Sequence, residues 1–232
     1  KGSRKSFSAS LYSDANGKIK IENQEQAEKI EQDLADAEYM ITKVKHGTRR
    51  KTPAPPFITS TLQQEASRKL GFQSRRTMKV AQELYEGVDI EGMGATGLIT
   101  YMRTDSLRIS DVAKEEAAQY ILNRFGEKFL PAKPRVFKTK SNAQDGHEAI
   151  RPSMPSLSPE DVKASLTSDQ FKLYNLIWNR FMASQMSDCI QKTTQAEISA
   201  KEYIFKASGY YVDFEGFTTL YVESKDTEEE KS

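Results

Sequence analysis

The hydrophobic period of this sequence changes twice along its 232 residues, and that change limits the folds open to it. Near the N-terminus, Phe7, Ala9 and Leu11 alternate with polar residues, which is the two-residue period of a strand. From Phe57 onward the apolar residues recur at helical steps, and after Gln185 the two-residue period returns. We therefore predict an α+β, multidomain fold in which a β-rich domain, built from both ends of the chain, carries an inserted, mainly helical domain. The predicted limits are 1–56 and 185–232 for the β-rich domain and 57–184 for the helical domain.

The N-terminal part predicts a hairpin, a helix and a third strand before a linker. Alternation on both sides of an Asn-Gly turn indicates a β-hairpin over residues 1–22. Asn23 is placed to cap the helix, with Gln26 in the capping-box position. Alternation predicts a strand over 39–45. The basic, proline-rich segment 46–56 predicts a linker and domain boundary, because proline is excluded from helix interiors and central strands.

Two short helices joined by a Gly-containing turn make a helix-turn-helix candidate at the start of the helical domain. Gly71 is placed to end the first helix, and Ser74 and Gly87 to bound the second. Arg75 and Arg76 lie in the first turn of the second helix, where backbone N–H groups attract phosphates. The alternative is an ordinary helical hairpin whose arginines are solvated.

The remaining elements follow from glycine, proline and apolar spacing. A Gly-rich, flexible connection is predicted over 88–97. A helix is predicted from Ser110 to Gly126, and another opens at Ser158 with Pro159 in its first position. An aromatic stripe in the last helix indicates core packing. Successive strands are predicted at the C-terminal end, over 189–200, 203–208, 210–214 and 217–222.

Composition excludes several classes of protein and site. The chain carries 34 Lys and Arg against 33 Asp and Glu, a net charge of +1, so any basic surface must come from local clustering. The single Cys189 excludes an internal disulfide and a multi-cysteine metal site, and it fits a reducing compartment. No apolar run approaches the length of a membrane span, so no membrane partner is expected.

The stretch 97–106, Gly-Leu-Ile-Thr-Tyr-Met-Arg-Thr-Asp-Ser, turns from apolar to polar within a few residues. It predicts a short strand that delivers Tyr101, Arg103, Thr104 and Asp105 into one loop. Tyr101 and Arg103 are two apart, so on an extended backbone they point to the same side. Because tyrosine can act as a covalent nucleophile and arginine grips phosphate, one interpretation is a nucleophile aimed at a phosphodiester. The other is a strand end with a half-buried tyrosine and a solvated turn.

A second cluster, at 147–153, combines a histidine and an arginine. His147 and Arg151 are each able to hydrogen-bond a phosphate or the Asp105 carboxylate, so the two clusters form one phosphate-binding site if they face each other. His147 and Glu148 lack a second set of ligands at metal spacing, and we predict no metal site here.

Three separate stretches, in this order, carry a resemblance to a known family. They are Pro-Ala-Pro-Pro-Phe-Ile-Thr-Ser-Thr-Leu-Gln-Gln-Glu-Ala at 53–66, the Tyr101 stretch at 97–106, and His-Glu-Ala-Ile-Arg-Pro at 147–152. With them the sequence resembles the bacterial type IA DNA topoisomerases of the topoisomerase I group. The resemblance extends over essentially the whole chain, more loosely in the β-rich parts.

The resemblance implies roles for individual residues. Tyr101 matches the active-site tyrosine, which attacks one DNA strand and becomes joined to its 5′-phosphate, and Arg103 matches the arginine that positions that phosphate. His147 matches a histidine near the site. The motifs also contain four residues whose individual roles the resemblance leaves open: Thr104, Asp105, Glu148 and Arg151.

The resemblance also implies a fragment. The family carries an N-terminal Toprim domain with an acidic Mg²⁺ site and a catalytic lysine, and a C-terminal DNA-binding region, and this sequence matches neither. The expected partners are single-stranded DNA and those other domains. The expected location is the cytoplasm, at the nucleoid. The Mg²⁺ ion is expected to bind outside this fragment. Religation needs no ATP, and relaxation by the fragment is not expected. The tyrosine domain of the family has a helix-turn-helix, catabolite-activator-like core.

A non-catalytic helix-turn-helix module that binds DNA is the alternative function. It requires a basic recognition helix with side chains that read bases, and no special role for Tyr101. The helix of Arg75 and Arg76 has few other base-reading groups, so the sequence favours the topoisomerase fragment.

Overall fold

The computed structural model of the chain describes residues 6–137 and 146–224, so parts of all three predicted domain ranges lie outside the described residues. The described chain has the α+β class that the sequence predicts. It divides into two compact units: residues 1–50 with 190–214, and residues 51–189 with 215–232.

The first unit is built on a five-stranded sheet with the strand order β2-β1-β7-β6-β3. Its two long central strands, β6 and β7, pair antiparallel from Ile190 opposite Phe214 to Ala200 opposite Tyr203. The strands are β1 Ser10–Asp14, β2 Gly17–Lys18, β3 Met40–Lys51, β6 Cys189–Ala200 and β7 Tyr203–Phe214.

The one helix described in this unit, α1 (Gln24–Leu34), begins as the sequence predicts. The side-chain oxygen of Asn23 accepts from the backbone N–H of Gln26, and the Gln26 side chain accepts from the N–H of Glu22. The hydroxyl of Tyr203 donates to the carboxylate of Asp33, and that hydrogen bond raises the pKa of Tyr203 to about 12. The contact ties the helix to the sheet.

Three predictions for the β-rich part are wrong. Residues 46–51 belong to β3 and not to a linker, because the sheet edge tolerates exposed basic side chains and the prolines begin only at Pro53. The strands predicted separately over 203–208 and 210–214 are one strand, because Gly209 lies inside β7 and pairs there with Thr194 of β6. Residues 217–222 form no strand: Gly216–Thr219 is a 3₁₀ helix that packs in the second unit. Gly216 has a φ of +52°, and a Cβ there would collide with the carbonyl of Asp188.

The second unit is mainly helical and contains one small hairpin. The segment 88–97, predicted as a flexible connection, pairs as β4 Val88–Ile90 with β5 Gly94–Thr96. Gly92 and Gly94 supply the positive φ angles of the turn. The helices are α2 Thr59–Leu70, α3 Ser74–Glu86, α4 Asp111–Phe125, α5 Pro159–Val162 and α6 Ser168–Ser184.

Several helix boundaries confirm the local signals, and one does not. Gly71 ends α2 with a φ of +67°, Gly87 follows α3, and the hydroxyl of Ser110 accepts from the N–H of Ala113 at the start of α4. Ser60 and Gln63 have the residue types and spacing of a capping box, but α2 begins earlier, at Thr59, with Ile58 in the N-cap position.

The aromatic stripe of α6 forms the core of the second unit, as its spacing predicts. Tyr174, Trp178 and Phe181 are buried there. The polar ends of two of them are satisfied, since Tyr174 donates to the carbonyl of Leu157 and Trp178 donates to the carbonyl of Pro155. No helix of the described residues is long and apolar enough to cross a membrane.

Arg180 of α6 fixes the segment that leads into α2. Its guanidinium is buried, donates to the carbonyl of Pro55 at 2.6 Å, and lies 4.8 Å from the ring centre of Phe57. The same guanidinium donates to Glu223, while the hydroxyl of Tyr221 donates to the buried carboxylate of Glu65. These contacts anchor the backbone beside Phe57, where the candidate site begins.

Candidate active site

The Tyr101 stretch is an extended loop and not the strand that the sequence predicts. Within it, one isolated β-bridge joins Ile99 to Pro152. The alternation of the sequence is nevertheless present in three dimensions: Met102 is buried, whereas Tyr101, Arg103 and Asp105 are exposed. The phenol, the guanidinium and the carboxylate therefore lie on the solvent side of one loop, and the apolar side chains anchor it from below.

Thr59, at the start of α2, holds this loop against the helix. Its hydroxyl donates to the carbonyls of Met102 and Thr104, at 2.8 and 3.0 Å, and accepts from the N–H of Thr104 at 2.9 Å. The N–H of Thr59 donates to the carbonyl of Thr104 as well. The position of Arg103 is thus fixed by one side chain that bonds the residues on both sides of it.

Thr100 holds the loop to the segment 147–153. Its N–H donates to the carbonyl of Arg151, and its hydroxyl donates to the carbonyl of Ala149 at 2.7 Å. The N–H of Ile150 in turn donates to the carbonyl of Phe57. The three stretches that carry the family resemblance therefore meet in one hydrogen-bonded unit.

The ring of Tyr101 stands in a row of three aromatic side chains. It lies 5.5 Å from the ring of Tyr85, edge to face, and 5.9 Å from the ring of His147, measured between ring centres. Tyr101 is 39% exposed. The neighbours fix the direction of the phenol and leave it accessible.

A depression of about 440 Å³ lies beside this row. Arg103, Asp105 and His147 line it together with the first residues of α2. The N-terminus of a helix carries partial positive charge on N–H groups that have no partner within the helix. The depression therefore combines a guanidinium, an imidazole and a helix N-terminus, which suits a phosphate group.

Arg151 and Thr104 point inward. Arg151 is 8% exposed, and it donates to Glu148 at 2.6 Å and to the carbonyl of Pro152, so its partner is not the Asp105 carboxylate expected as one possibility. The buried hydroxyl of Thr104 accepts from the N–H of Ser106. Both side chains support the backbone of the site; Thr104 forms part of the wall of the depression, and Arg151 does not line it.

Arg75 and Arg76 lie at the other end of α3 from Tyr85. Tyr85 follows Arg75 by ten positions along the helix, a rise of about 15 Å. Arg76 donates two hydrogen bonds to Asp169, each of 2.7 Å, and this pairing lowers the pKa of the Asp169 carboxyl. Arg75 is exposed. Because Arg76 is bound within the fold, the geometry weakens the case for α3 as a recognition helix.

The sequence did not single out Tyr85, Thr59 or Thr100 as functional. Thr59 and Thr100 lie inside the stretches of family resemblance, which was the available signal for them. Tyr85 carried none, because its contact with Tyr101 depends on how α3 packs.

The comparison with known proteins decides the family. A family model described as DNA topoisomerase matches residues 3–232. The chain belongs to the DNA topoisomerase family. It is also similar to the solved structure of full-length topoisomerase I from Thermotoga maritima, with a TM-score of 0.75 and 39% identity over 94% of this chain. The predicted resemblance to the bacterial type IA enzymes of the topoisomerase I group is thereby confirmed.

This topoisomerase chain spans 34% of the length of the Thermotoga maritima chain. In the part of the chain that the structure describes, no cluster of three or more His, Cys, Asp or Glu side chains is placed to hold a metal ion. Glu148 is engaged by Arg151, which leaves Asp105 as the exposed carboxylate of the depression. The residues around Tyr101 therefore do not fit the Mg²⁺ site that the family implies.

Proposed function

We propose that this chain is the nucleophile-bearing part of a type IA DNA topoisomerase, and that Tyr101 cleaves one strand of DNA transiently. The observation that carries the proposal is the arrangement of Tyr101, which is accessible, held between two aromatic rings, and next to a depression lined by Arg103 and His147. A nucleophile beside a cationic phosphate-binding depression is the arrangement that transesterification of a phosphodiester requires.

The proposed step exchanges one phosphodiester for another. The phenolic oxygen of Tyr101 attacks the phosphorus, forming a Tyr–O–P bond while the bond from phosphorus to the 3′-oxygen breaks. The phenol loses one proton and the departing 3′-oxygen gains one, so the products are a 5′-phosphotyrosine link and a free 3′-hydroxyl. Religation reverses these events. Because the covalent link conserves the phosphodiester, no ATP is consumed.

The residues around Tyr101 divide into two roles. Arg103 and His147, with the N–H groups at the start of α2, bind the non-bridging oxygens of the phosphate and stabilise the charge that develops on them. Asp105 lies beside them at the rim. The inward-facing Thr104, Arg151 and Glu148 hold the backbone that presents these groups.

The complete cycle extends beyond this chain. The proposal places the Mg²⁺ ion and a catalytic lysine on a Toprim domain, and further DNA binding on a C-terminal region. A second strand then passes through the break, which relaxes negative supercoils, in the cytoplasm at the nucleoid. The proposed partner is single-stranded DNA, and α2 with α3 forms the helix-turn-helix core of the tyrosine domain, with Arg75 as a peripheral phosphate contact.

The covalent intermediate provides the test. The chain is supplemented with the Toprim domain, incubated with single-stranded DNA and Mg²⁺, and denatured to trap the adduct. Nuclease and protease digestion followed by mass spectrometry should place a 5′-linked nucleotide on the peptide that contains Tyr101. A nucleotide on the neighbouring Tyr85, or a 3′-linked nucleotide, would contradict the proposal.

A further inference from the structure

The five-stranded sheet of the first unit has one face that is both basic and aromatic. The side chain of Arg49, on β3, identifies the face: its Nε donates to Gln191 at 2.8 Å, and its guanidinium lies 4.9 Å from the ring centre of Tyr210. Tyr210 of β7 pairs with Thr193 of β6, so the two side chains lie on one face of the sheet. A Cβ atom added to Gly47 of β3 would lie 3.0 Å from the hydroxyl of Thr193, so position 47, two residues before Arg49, faces the same side. Arg49, Thr193 and Tyr210 thus project to the same side.

The same side carries further cations. Lys43 and Lys45 share the face of Arg49 by the two-residue period of β3, and they line one depression together with Lys206. The ammonium of Lys206 lies 3.4 Å from the ring centre of Tyr12. We call the surface formed by these side chains the basic face: Tyr12, Lys43, Lys45, Arg49, Lys206 and Tyr210.

The basic face is exposed to solvent, and its charge is predominantly positive. Every residue of β3 is exposed, and Tyr210 is 59% exposed. Among the described residues that line the depression, the one carboxylate is Glu197, which lies 3.7 Å from Lys206. The opposite face is partly covered, because Tyr203 there bonds to Asp33 of α1. In a chain with a net charge of +1, this separation of charge marks a surface for an anionic partner.

We infer that the basic face binds a single strand of nucleic acid. The cations along β3 from Lys43 to Arg49 span about 20 Å, which matches a row of successive phosphates. Tyr210 and the half-buried Tyr12 supply aromatic rings among the cations, and the exposed ring of Tyr210 is able to stack on a base of any sequence. An acidic peptide would use the cations without the rings. The rings therefore favour a nucleic-acid strand over an acidic protein.

The inference goes beyond the proposed function and does not depend on it. The cleavage chemistry uses Tyr101 and its neighbours in the second unit, whereas all residues of the basic face lie in the first. A strand bound here gives the first unit a DNA-binding role of its own.

The test uses the full 232-residue chain and a labelled oligothymidylate of about 12 nucleotides, with affinity measured by fluorescence anisotropy over a series of salt concentrations. The double variant K43Q/K45Q should bind more weakly, and its slope of log affinity against log salt should be shallower by about 1.4, or about 0.7 for each lost phosphate contact. The matched control is Arg50→Gln, an exposed cation of β3 that points to the opposite face. It should leave both values unchanged.

The aromatic part has an equally close control. Tyr210→Ala should weaken binding about five-fold or more, whereas Tyr211→Ala, 63% exposed before substitution and on the opposite face, should not. An oligonucleotide that carries iodouracil should crosslink to the peptide of Tyr210. Three results would overturn the inference: unchanged binding by K43Q/K45Q, equal losses of binding in the control variants, or crosslinks confined to the peptides of Tyr85 and Tyr101. Equally tight binding of an oligoglutamate of the same charge, independent of Tyr210, would assign the face to an acidic protein.

Discussion

The ring of Tyr101 lies 5.9 Å from the ring of His147, at an interplanar angle of 52°, although the two residues are far apart in the sequence. The contact depends on the hydrogen bonds of Thr100 to the segment that follows His147. His147 also lines the depression beside Arg103. The histidine thus lies where it can reach both the proposed nucleophile and the proposed phosphate.

Replacing His147 with glutamine should slow DNA cleavage and leave the fold intact. Loss of one hydrogen-bond donor to a developing charge commonly lowers a rate on the order of 100-fold. The rate of adduct formation, with the Toprim domain supplied, measures the effect. His46, the other histidine of the chain, is the control: its Nδ1 lies 3.2 Å from the hydroxyl of Thr194 in the first unit, and His46→Gln should cleave at the original rate. Equal rates for the two variants would remove His147 from the site.

Replacing Thr59 with valine should loosen the loop that carries Tyr101 and Arg103. The substitution keeps the shape but removes the hydrogen bonds to Met102 and Thr104, at a cost of about 1–3 kcal/mol in the free energy of unfolding. Chemical denaturation measures this cost. Ser60→Ala, an exposed position on the same turn of α2, should change stability by less than about 0.5 kcal/mol. A Thr59→Val variant as stable as the original would show that these hydrogen bonds do not hold the loop.

The pair of Arg76 and Asp169 should make stability depend on pH in acid. The Asp169 carboxyl has a pKa lowered below its ordinary value of 3.8, mainly by hydrogen bonds from Arg76. A carboxyl with a lowered folded-state pKa stabilises the fold above its ordinary pKa, and this contribution is lost as the pH falls through the lowered value. Arg76→Gln should therefore lower the Tm at neutral pH, and the difference should disappear in strong acid.

Arg75→Gln provides the comparison for that measurement. Arg75 is exposed, and it is the neighbour of Arg76 on α3. Its substitution should change the Tm little at any pH, while weakening DNA binding if Arg75 contacts phosphate. A difference for Arg76→Gln that persists unchanged below the lowered pKa of Asp169 would show that the effect is not electrostatic.

The isolated 232-residue chain should not relax supercoiled DNA in the presence of Mg²⁺. The proposed function places the Mg²⁺ site on a Toprim domain, and among the described residues no cluster of His, Cys, Asp or Glu is placed to hold a metal ion. Gel electrophoresis of a negatively supercoiled plasmid, with and without the Toprim domain, measures relaxation. Efficient relaxation by the chain without any addition would contradict the proposed placement of the Mg²⁺ site outside this chain.

The sequence predicted the elements whose signals are local. Asn23, Gly71 and Ser110 each bound a helix through contacts with residues only a few positions away, and these boundaries were correct. The continuation of β3 beyond residue 45 was not predictable, because a sheet edge accepts basic residues that a linker also contains. The hairpin at 88–97 was not predictable either, because glycines suit both a flexible connection and a tight turn, and packing decides between them.

The candidate site divides in the same way. Tyr101, Arg103 and His147 were recognisable from their motifs, and the exposure of Tyr101 and Arg103 follows the alternation of the sequence. The inward direction of Arg151 was not, because it depends on a contact with Glu148 and on burial beneath the loop. The pairing of Arg76 with Asp169 joins residues 93 positions apart, and no local pattern reveals such a contact.

Substitution of the proposed nucleophile tests the proposed function most directly. Tyr101→Phe and Tyr85→Phe each remove one hydroxyl from adjacent, similarly exposed rings, at 39% and 41% exposure. Each variant, supplied with the Toprim domain and Mg²⁺, is incubated with end-labelled single-stranded DNA and run on a denaturing gel. Tyr101→Phe should give no covalent adduct, and Tyr85→Phe should give the adduct of the original chain. An adduct that persists in Tyr101→Phe would contradict the assignment of Tyr101 as the nucleophile.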